Sequence, residues 1–367
     1  MKSCRPIPIS SLGNFFAAFY VLALIGVFVL SGFGIRPAHA WQSEIPPSAP
    51  TPQVAPAAQF LATTAERIYF PLIRTAPSAL MEVNPQDKAA SAAFYHTYFL
   101  GSNDAVSVFT GNVANCNPGD TSPEFKAAVQ MRINYFRAMA GVPAEIELDP
   151  TYNAKAQQAA LMMSAQGALS HNPDTNWACY TAEGDQAASS SNLALGMYGP
   201  WAITGYMSDG GSNNTAVGHR RWILYPQTER MGTGDSPGLS GFRAANALWV
   251  FDGNYSAPRP ATRTAYVAWP PPGYVPYRLA FARWSFSYPK ADFSQAVVSM
   301  QANNQALALT QHPPQNGYGE NTLVWELQLP ADDVSADRTF EVQVNNVLIN
   351  SQPQNFAYQV ILFDPER

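Results

Sequence analysis

Apolar residues recur along this chain in three rhythms, and the changes of rhythm mark its organisation. The first is a continuous run: Phe15 to Ile35 carries no charge. The second is helical. Phe125, Val129, Ile133, Phe136 and Ala140 recur at the spacing of one helix face. Ahead of that stripe, Thr121-Ser122-Pro123-Glu124 offers an N-cap, a first-turn proline and a capping-box glutamate. Gly141 and Pro143 stop it. A second helix is predicted from Asp149-Pro150 to Gly167, with Tyr152, Ala156, Ala160 and Met163 along its buried face. A shorter helix is expected within 87–115, followed by an irregular stretch, and helical turns at Pro200–Ser208 and His219–Leu224. Asn246–Asp252 and Thr264–Trp269 read as strands. The third rhythm is alternation. Beyond Trp269-Pro270-Pro271-Pro272-Gly273 the apolar positions fall on every second residue: Leu323, Trp325, Leu327, Leu329; Phe340, Val342, Val344; Phe356, Tyr358, Val360, Leu362. Short strands separated by Asn, Pro and Gly turns predict an antiparallel β-sandwich over residues 269–367.

The amino-terminal run decides the compartment. Lys2 and Arg5 precede it, and Ala38-His39-Ala40 follows with the small-x-small pattern of a signal-peptidase site. The run is also long enough to span a bilayer. Residues 1–40 are therefore a cleaved signal peptide or a retained N-terminal membrane anchor, in which case residues 15–35 are the one membrane contact. Both readings place residues 41–367 outside the cytoplasm, extracellular or at the cell surface. Residues 41–86 follow as a linker, rich in Pro and Ala over 41–60 and holding a short apolar island at 66–75. A lead-in helix and loop occupy 87–119, and a first folded domain occupies 120–268.

Composition narrows the function. Charged residues make up 13% of the 367, against roughly 25% in an ordinary soluble protein. The surface therefore relies on Asn, Gln, Ser and Thr. The formal net charge is −5, and the first 40 residues hold three bases and no acids, so residues 41–367 carry −8. A nucleic-acid partner, which needs a basic stripe, is excluded. Cys4 lies in the leader, leaving Cys116 and Cys179 as an even pair in an oxidising compartment. They are predicted to form a disulfide.

Standard catalytic signatures are absent. Gly238-Leu239-Ser240-Gly241-Phe242 fails the nucleophile-elbow pattern at its last position. There is no H-E-x-x-H, no dinucleotide fingerprint and no phosphate-binding loop. His96, among aromatics, and His312, beside Pro313-Pro314, read as a structural and a loop histidine. The aromatics Trp284, Phe286 and Tyr288, and Tyr274 with Tyr277, read chiefly as core and corner residues, with sugar stacking as the alternative. Two histidines remain in distinctive settings: Leu169-Ser170-His171-Asn172-Pro173 and Gly218-His219-Arg220-Arg221-Trp222.

INYFRAMAGVP, AKAQQAALMM, LSH, SNLALG, GHRRWILYP and the MGTG-to-LWVFD strands follow one another over about residues 120–268. In this order they resemble the CAP superfamily, the SCP domain of cysteine-rich secretory, venom-allergen and pathogenesis-related proteins. The resemblance implies an α+β fold: a CAP-type α-β-α sandwich, here followed by the C-terminal antiparallel β-sandwich. It also implies an extracellular protein with disulfides and a central cleft in which two histidines and two glutamates hold a divalent metal, often zinc. His171 matches the first histidine and His219 the second. Ser191 stands where the Gly-Glu-Asn-Leu motif of the family has its glutamate, and Thr204 lies near the place of the second. Both carboxylates are missing, leaving His171 and His219 as metal-ligand candidates, with Asp209, Glu183 and Asp185 as possible substitutes. Gly319-Glu320-Asn321 reproduces part of the missing motif, but in the strand-rich region, where it reads as a turn. The functional expectation is a secreted or surface-anchored, non-enzymatic CAP protein binding an extracellular ligand, cell-envelope component or metal through the His171/His219 cleft, with Ser191 and Thr204 as further cleft candidates. The alternatives are an extracytoplasmic hydrolase using the same cleft and a structural or adhesive surface protein.

Overall fold

A computed structural model describes residues 81–328 and 336–367, all within one compact unit. The leader, the apolar island at 66–75, most of the linker and Leu329 lie outside the described residues. Helix α1 (Lys88–Phe94) starts on Asp87, whose carboxylate accepts from Ala90 N at 3.1 Å. It widens into a π-helical turn over Tyr95–Leu100. Helix α2 (Pro123–Ala140) is capped by the Ser122 hydroxyl, which accepts from Phe125 N at 3.2 Å, and ends on left-handed Gly141. Its predicted stripe is buried throughout. A two-residue strand, β1 (Glu147–Leu148), leads to α3 (Pro150–Gln166), capped by Asp149 and ended by Gly167. Then come α4 (Ala182–Ser189), β2 (Ser191–Leu195), α5 (Gly199–Ser208), α6 (Gly218–Ile223), β3 (Arg230–Ser236) and β4 (Ala245–Trp249).

These strands form one sheet in the order β1-β3-β4-β2, parallel between β1 and β3 and antiparallel elsewhere. Alternation along β4 builds the three layers. Ala245, Ala247 and Trp249 pack with Ala156, Met163, Ala187 and Ala188 of α3 and α4. Leu248, between them in sequence, joins the opposite core with Ile133, Phe136 and Ile203 of α2 and α5. Helix α3 lies directly on β3: a Cβ on Gly234 would fall 2.1 Å from the Ala156 carbonyl carbon, so only glycine fits that approach.

The C-terminal region contributes β5 (Val267–Trp269), β6 (Gly273–Pro276), β7 (Arg283–Ser287), β8 (Val297–Ala302), β9 (Gln305–Ala306), β10 (Leu309–His312), β11 (Thr322–Leu327), β12 (Arg338–Ile349) and β13 (Gln352–Phe363). They form two sheets, β10-β11-β7-β5 and β6-β13-β12-β8-β9. All pairs are antiparallel except β6 with β13, which lie far apart in the chain and so have the long connection that parallel pairing requires. Trp284 of one sheet meets Phe340 of the other at 5.6 Å between ring centroids. Trp284 and Phe286 are fully buried, so their aromatic surface is core and cannot serve as a sugar platform. His312 ends strand β10 and lies 3.3 Å from Glu326; the loop expected at that position begins after it.

The core runs on past residue 270. Phe136 of α2 packs on Trp269, with centroids 5.2 Å apart. The lead-in helix is fixed to both halves. Phe94 stacks on Tyr135 at 5.2 Å, Lys88 pairs with Asp337 at 2.8 Å, and the His96 ring meets the Pro365 carbonyl at 3.0 Å. The last residues of the segment read as linker also lie on the body, where Tyr274 N donates to the Pro85 carbonyl at 2.6 Å. Cys116 and Cys179 form the predicted disulfide, tying the loop before α2 to the loop after α3.

Candidate functional site

His171 follows the end of α3 on an exposed loop. Its Nδ1 lies 2.8 Å from the Ala188 carbonyl. A carbonyl only accepts, so Nδ1 carries the hydrogen and Nε2 keeps its lone pair in the neutral ring. His219 is reached differently. Helix α5 ends on Asp209, left-handed at φ 50° with its side chain fully buried. The Asp209 carboxylate accepts from His219 Nδ1 at 2.7 Å and from His219 N at 2.9 Å, and so fixes both ring and backbone at the start of α6. Here too Nε2 is left as the ring's other hydrogen-bonding atom. Tyr206 of α5 lies against the ring at 5.3 Å, and Asn192 Nδ2 donates to the His219 carbonyl at 3.0 Å.

Behind this wall sits Arg220, buried and donating to the Met207 carbonyl at 2.6 Å and to Ser285 Oγ at 3.1 Å. Burial pushes its pKa down to about 9, Asp209 opposing and Arg283 adding to the shift. Arg283 itself donates to the Asp209 carbonyl at 2.7 Å. Thus two residues of the C-terminal sheet, Ser285 and Arg283, brace the turn that carries His219.

The two histidines line one cavity of about 320 Å³. Ser189, Ser191, Asn192, Trp222 and Phe251 contribute to its walls, with Gln315, Gly317 and Tyr318 from the loop between β10 and β11. No Asp, Glu, Lys or Arg lines it. Ser191 therefore does stand in the cleft. It is 4% exposed, and its hydroxyl has no hydrogen-bond partner. Thr204 does not line the cleft: its hydroxyl accepts from the buried Arg132 at 2.6 Å. Glu183 is exposed on α4, and Asp185 faces the Tyr180 hydroxyl at 3.4 Å; neither borders the cavity. Asp209 is engaged by His219. Gly319-Glu320-Asn321 is a turn, as expected, with the buried Glu320 carboxylate held by Arg259 Nε at 2.5 Å. Burial raises the Glu320 pKa, and Arg259 opposes that.

Two imidazoles are a smaller donor set than the three or four protein ligands of a stable zinc site. Among the described residues, no group of three or more His, Cys, Asp or Glu comes together that could hold a metal ion. The donors present do not fit the metal that the resemblance implies.

Residues 130–252 match the family model for CAP, the cysteine-rich secretory protein family. The chain carries a CAP domain. The match runs from within α2 to just beyond β4 and contains both cleft histidines, Ser191 and Asp209. CAP proteins are typically extracellular, and the Cys116–Cys179 bond accords with that. Comparison with curated proteins finds no match. The loop carrying Gln315 and Tyr318 lies outside the CAP match, so the cleft wall it forms comes from the added β-rich region. Sequence reasoning found the two histidines through their flanking motifs. It did not reveal that Asp209 holds His219 or that the turn before β11 forms a cleft wall, because a single acid after a helix and a Pro-Gly-rich turn carry no periodic signal.

Proposed function

We propose that the protein acts outside the cytoplasm as a binding protein, taking an uncharged, hydrogen-bonding component of the cell envelope in the His171/His219 cleft. The observation that carries this reading is the lining. Two imidazoles, each with Nδ1 engaged by the protein, stand among amides, hydroxyls and aromatic rings with no charged side chain. Such a wall recognises a ligand through placed polar groups and apolar faces. It lacks the fixed charge that an ionic ligand needs and the carboxylates that would complete a metal site. The leader, which exports the chain or anchors it at the surface, and the disulfide support the location.

The test is retention of the full chain on purified insoluble cell-wall material. Asn213→Trp, at an exposed lining position, fills the cleft mouth, and His171→Ala removes one imidazole. Retention that falls in both folded variants supports the reading. Retention equal in all three proteins, or none in the wild type, overturns it. The Asp209–His219 pair favours hydrolysis as a second reading, because a carboxylate-oriented imidazole with a free Nε2 is built like a general base. That reading requires product release from the wall material, abolished by His219→Ala; binding alone releases none.

A further inference from the structure

The loop between β10 and β11 reaches across to the CAP domain and is clamped there. Arg221, buried on α6, donates from Nη1 to the Gln315 carbonyl at 2.7 Å and from Nη2 to the Glu320 carbonyl at 2.9 Å. Gln315 Nε2 donates to Thr215 Oγ1 at 3.1 Å. Between these anchors the Tyr318 ring lies 5.4 Å from the Arg221 guanidinium and directly over Gly218, the residue before His219. A Cβ at position 218 would fall 2.8 Å from Tyr318 Cδ1, so the glycine makes room for the ring. Tyr318 is 39% exposed, whereas Trp222 in the same lining is 8% exposed. The same cavity is bordered by Ser191, whose buried hydroxyl has no partner, and a buried polar group without a partner is a place for a ligand to supply one.

We propose that Tyr318 is a ligand-contacting and specificity-determining residue of the cleft, and that the ligand is a neutral oligosaccharide, one pyranose ring stacking on Tyr318 while its hydroxyls meet Ser191 and the imidazoles. This rests on the cleft-binding reading above and names its ligand class. A sugar ring offers an apolar C–H face edged with uncharged hydroxyls, which matches an exposed aromatic face beside neutral hydrogen-bonding groups. The cavity of about 320 Å³ is within the size of small-ligand sites. Arg221 is then a positioning residue: it holds the loop that presents the ring.

The experiment is calorimetric titration of the full chain with cellotriose and with tri-N-acetylchitotriose. The same titrations are run on Tyr318→Ala, Tyr318→Phe, Gly218→Ala and Asn213→Trp. The wild type is expected to bind at least one trisaccharide. Tyr318→Ala should weaken binding about tenfold or more, as truncating a central aromatic anchor does, while Tyr318→Phe keeps the ring and stays close to wild type. Gly218→Ala suits the helix but displaces the ring, so it should weaken binding in a folded protein. Binding that Asn213→Trp abolishes but Tyr318→Ala and Gly218→Ala leave unchanged overturns the role of Tyr318 and leaves the cleft reading standing. A wild type retained on wall material in the cleft-dependent way but binding neither sugar overturns the ligand class. Failure of both overturns the ligand class and the cleft reading together.

Discussion

The two histidines of the cleft are held in opposite ways. His171 rides on an exposed loop and is fixed by one backbone carbonyl, that of Ala188. His219 is 24% exposed and held by the fully buried Asp209 carboxylate, which also accepts from Arg220 N, while Arg283 of the C-terminal sheet holds the Asp209 backbone carbonyl. One wall carries the loop after α3, which the Cys116–Cys179 disulfide ties to the loop before α2. The other is built jointly by the CAP helices and the added β-rich region. The difference teaches that the C-terminal region is part of the site's framework, and that the His171 side is the less constrained of the two.

The strongest test of that contrast is Asp209→Ala. It strips the partner from His219 Nδ1 and leaves the buried Arg220 charge without its nearest carboxylate. The expected loss is about 3–5 kcal/mol, read as a lowered urea midpoint. The His171 wall has its own vulnerable point in the disulfide. Replacing Cys116 and Cys179 by Ser should cost about 2–4 kcal/mol, seen as a lower Tm equal to that of the reduced wild type. The histidines themselves should separate next. His219→Ala takes the imidazole from Asp209 Oδ1, leaving only backbone donors on the buried carboxylate, and should cost about 1–3 kcal/mol. His171→Ala, at an exposed position, should stay within about 0.5 kcal/mol. Equal costs would break the comparison.

The smallest effect is a pH dependence beneath the His219 wall. Burial raises the Asp235 pKa from 3.8, while hydrogen bonds from Gly199 N, Asn246 and Thr233 pull it back. A carboxyl raised on folding stabilises the fold below its unfolded pKa, and that contribution is lost as pH rises through the folded value. As pH falls toward 3.8, wild-type stability should therefore gain relative to Asp235→Asn. A gap that moves the other way would show that the hydrogen bonds outweigh burial.

The capped helices were legible because their signals are local. Ser122 and Asp149 cap where the pattern places them, and Gly141 and Gly167 stop both helices. Helix α4 was not, since its eight residues are small or polar (AEGDQAAS) and make no apolar stripe. Strand β3 shows through the family motif MGTG alone, because its glycines admit α3 at close range and so give no hydrophobic signal. His171 and His219 were visible through their surrounding motifs. The wall formed by Gln315 and Tyr318 was not, because Gln315 and Thr215 lie 100 residues apart and only the fold brings them together. The missing carboxylates at Ser191 and Thr204 were plain in the sequence, and the structure adds that no acid lines the cavity with the two imidazoles, Asp209 being placed behind His219 on its Nδ1.

The central claim is that these imidazoles serve as hydrogen-bonding groups of a neutral cleft and not as ligands of a resident zinc ion. Zinc titration by calorimetry on the full chain, beside the His171→Ala/His219→Ala double variant, tests it most directly. The account predicts that both proteins give the same trace, with no binding of micromolar or better affinity. Micromolar or tighter binding in the wild type that disappears in the double variant would contradict it.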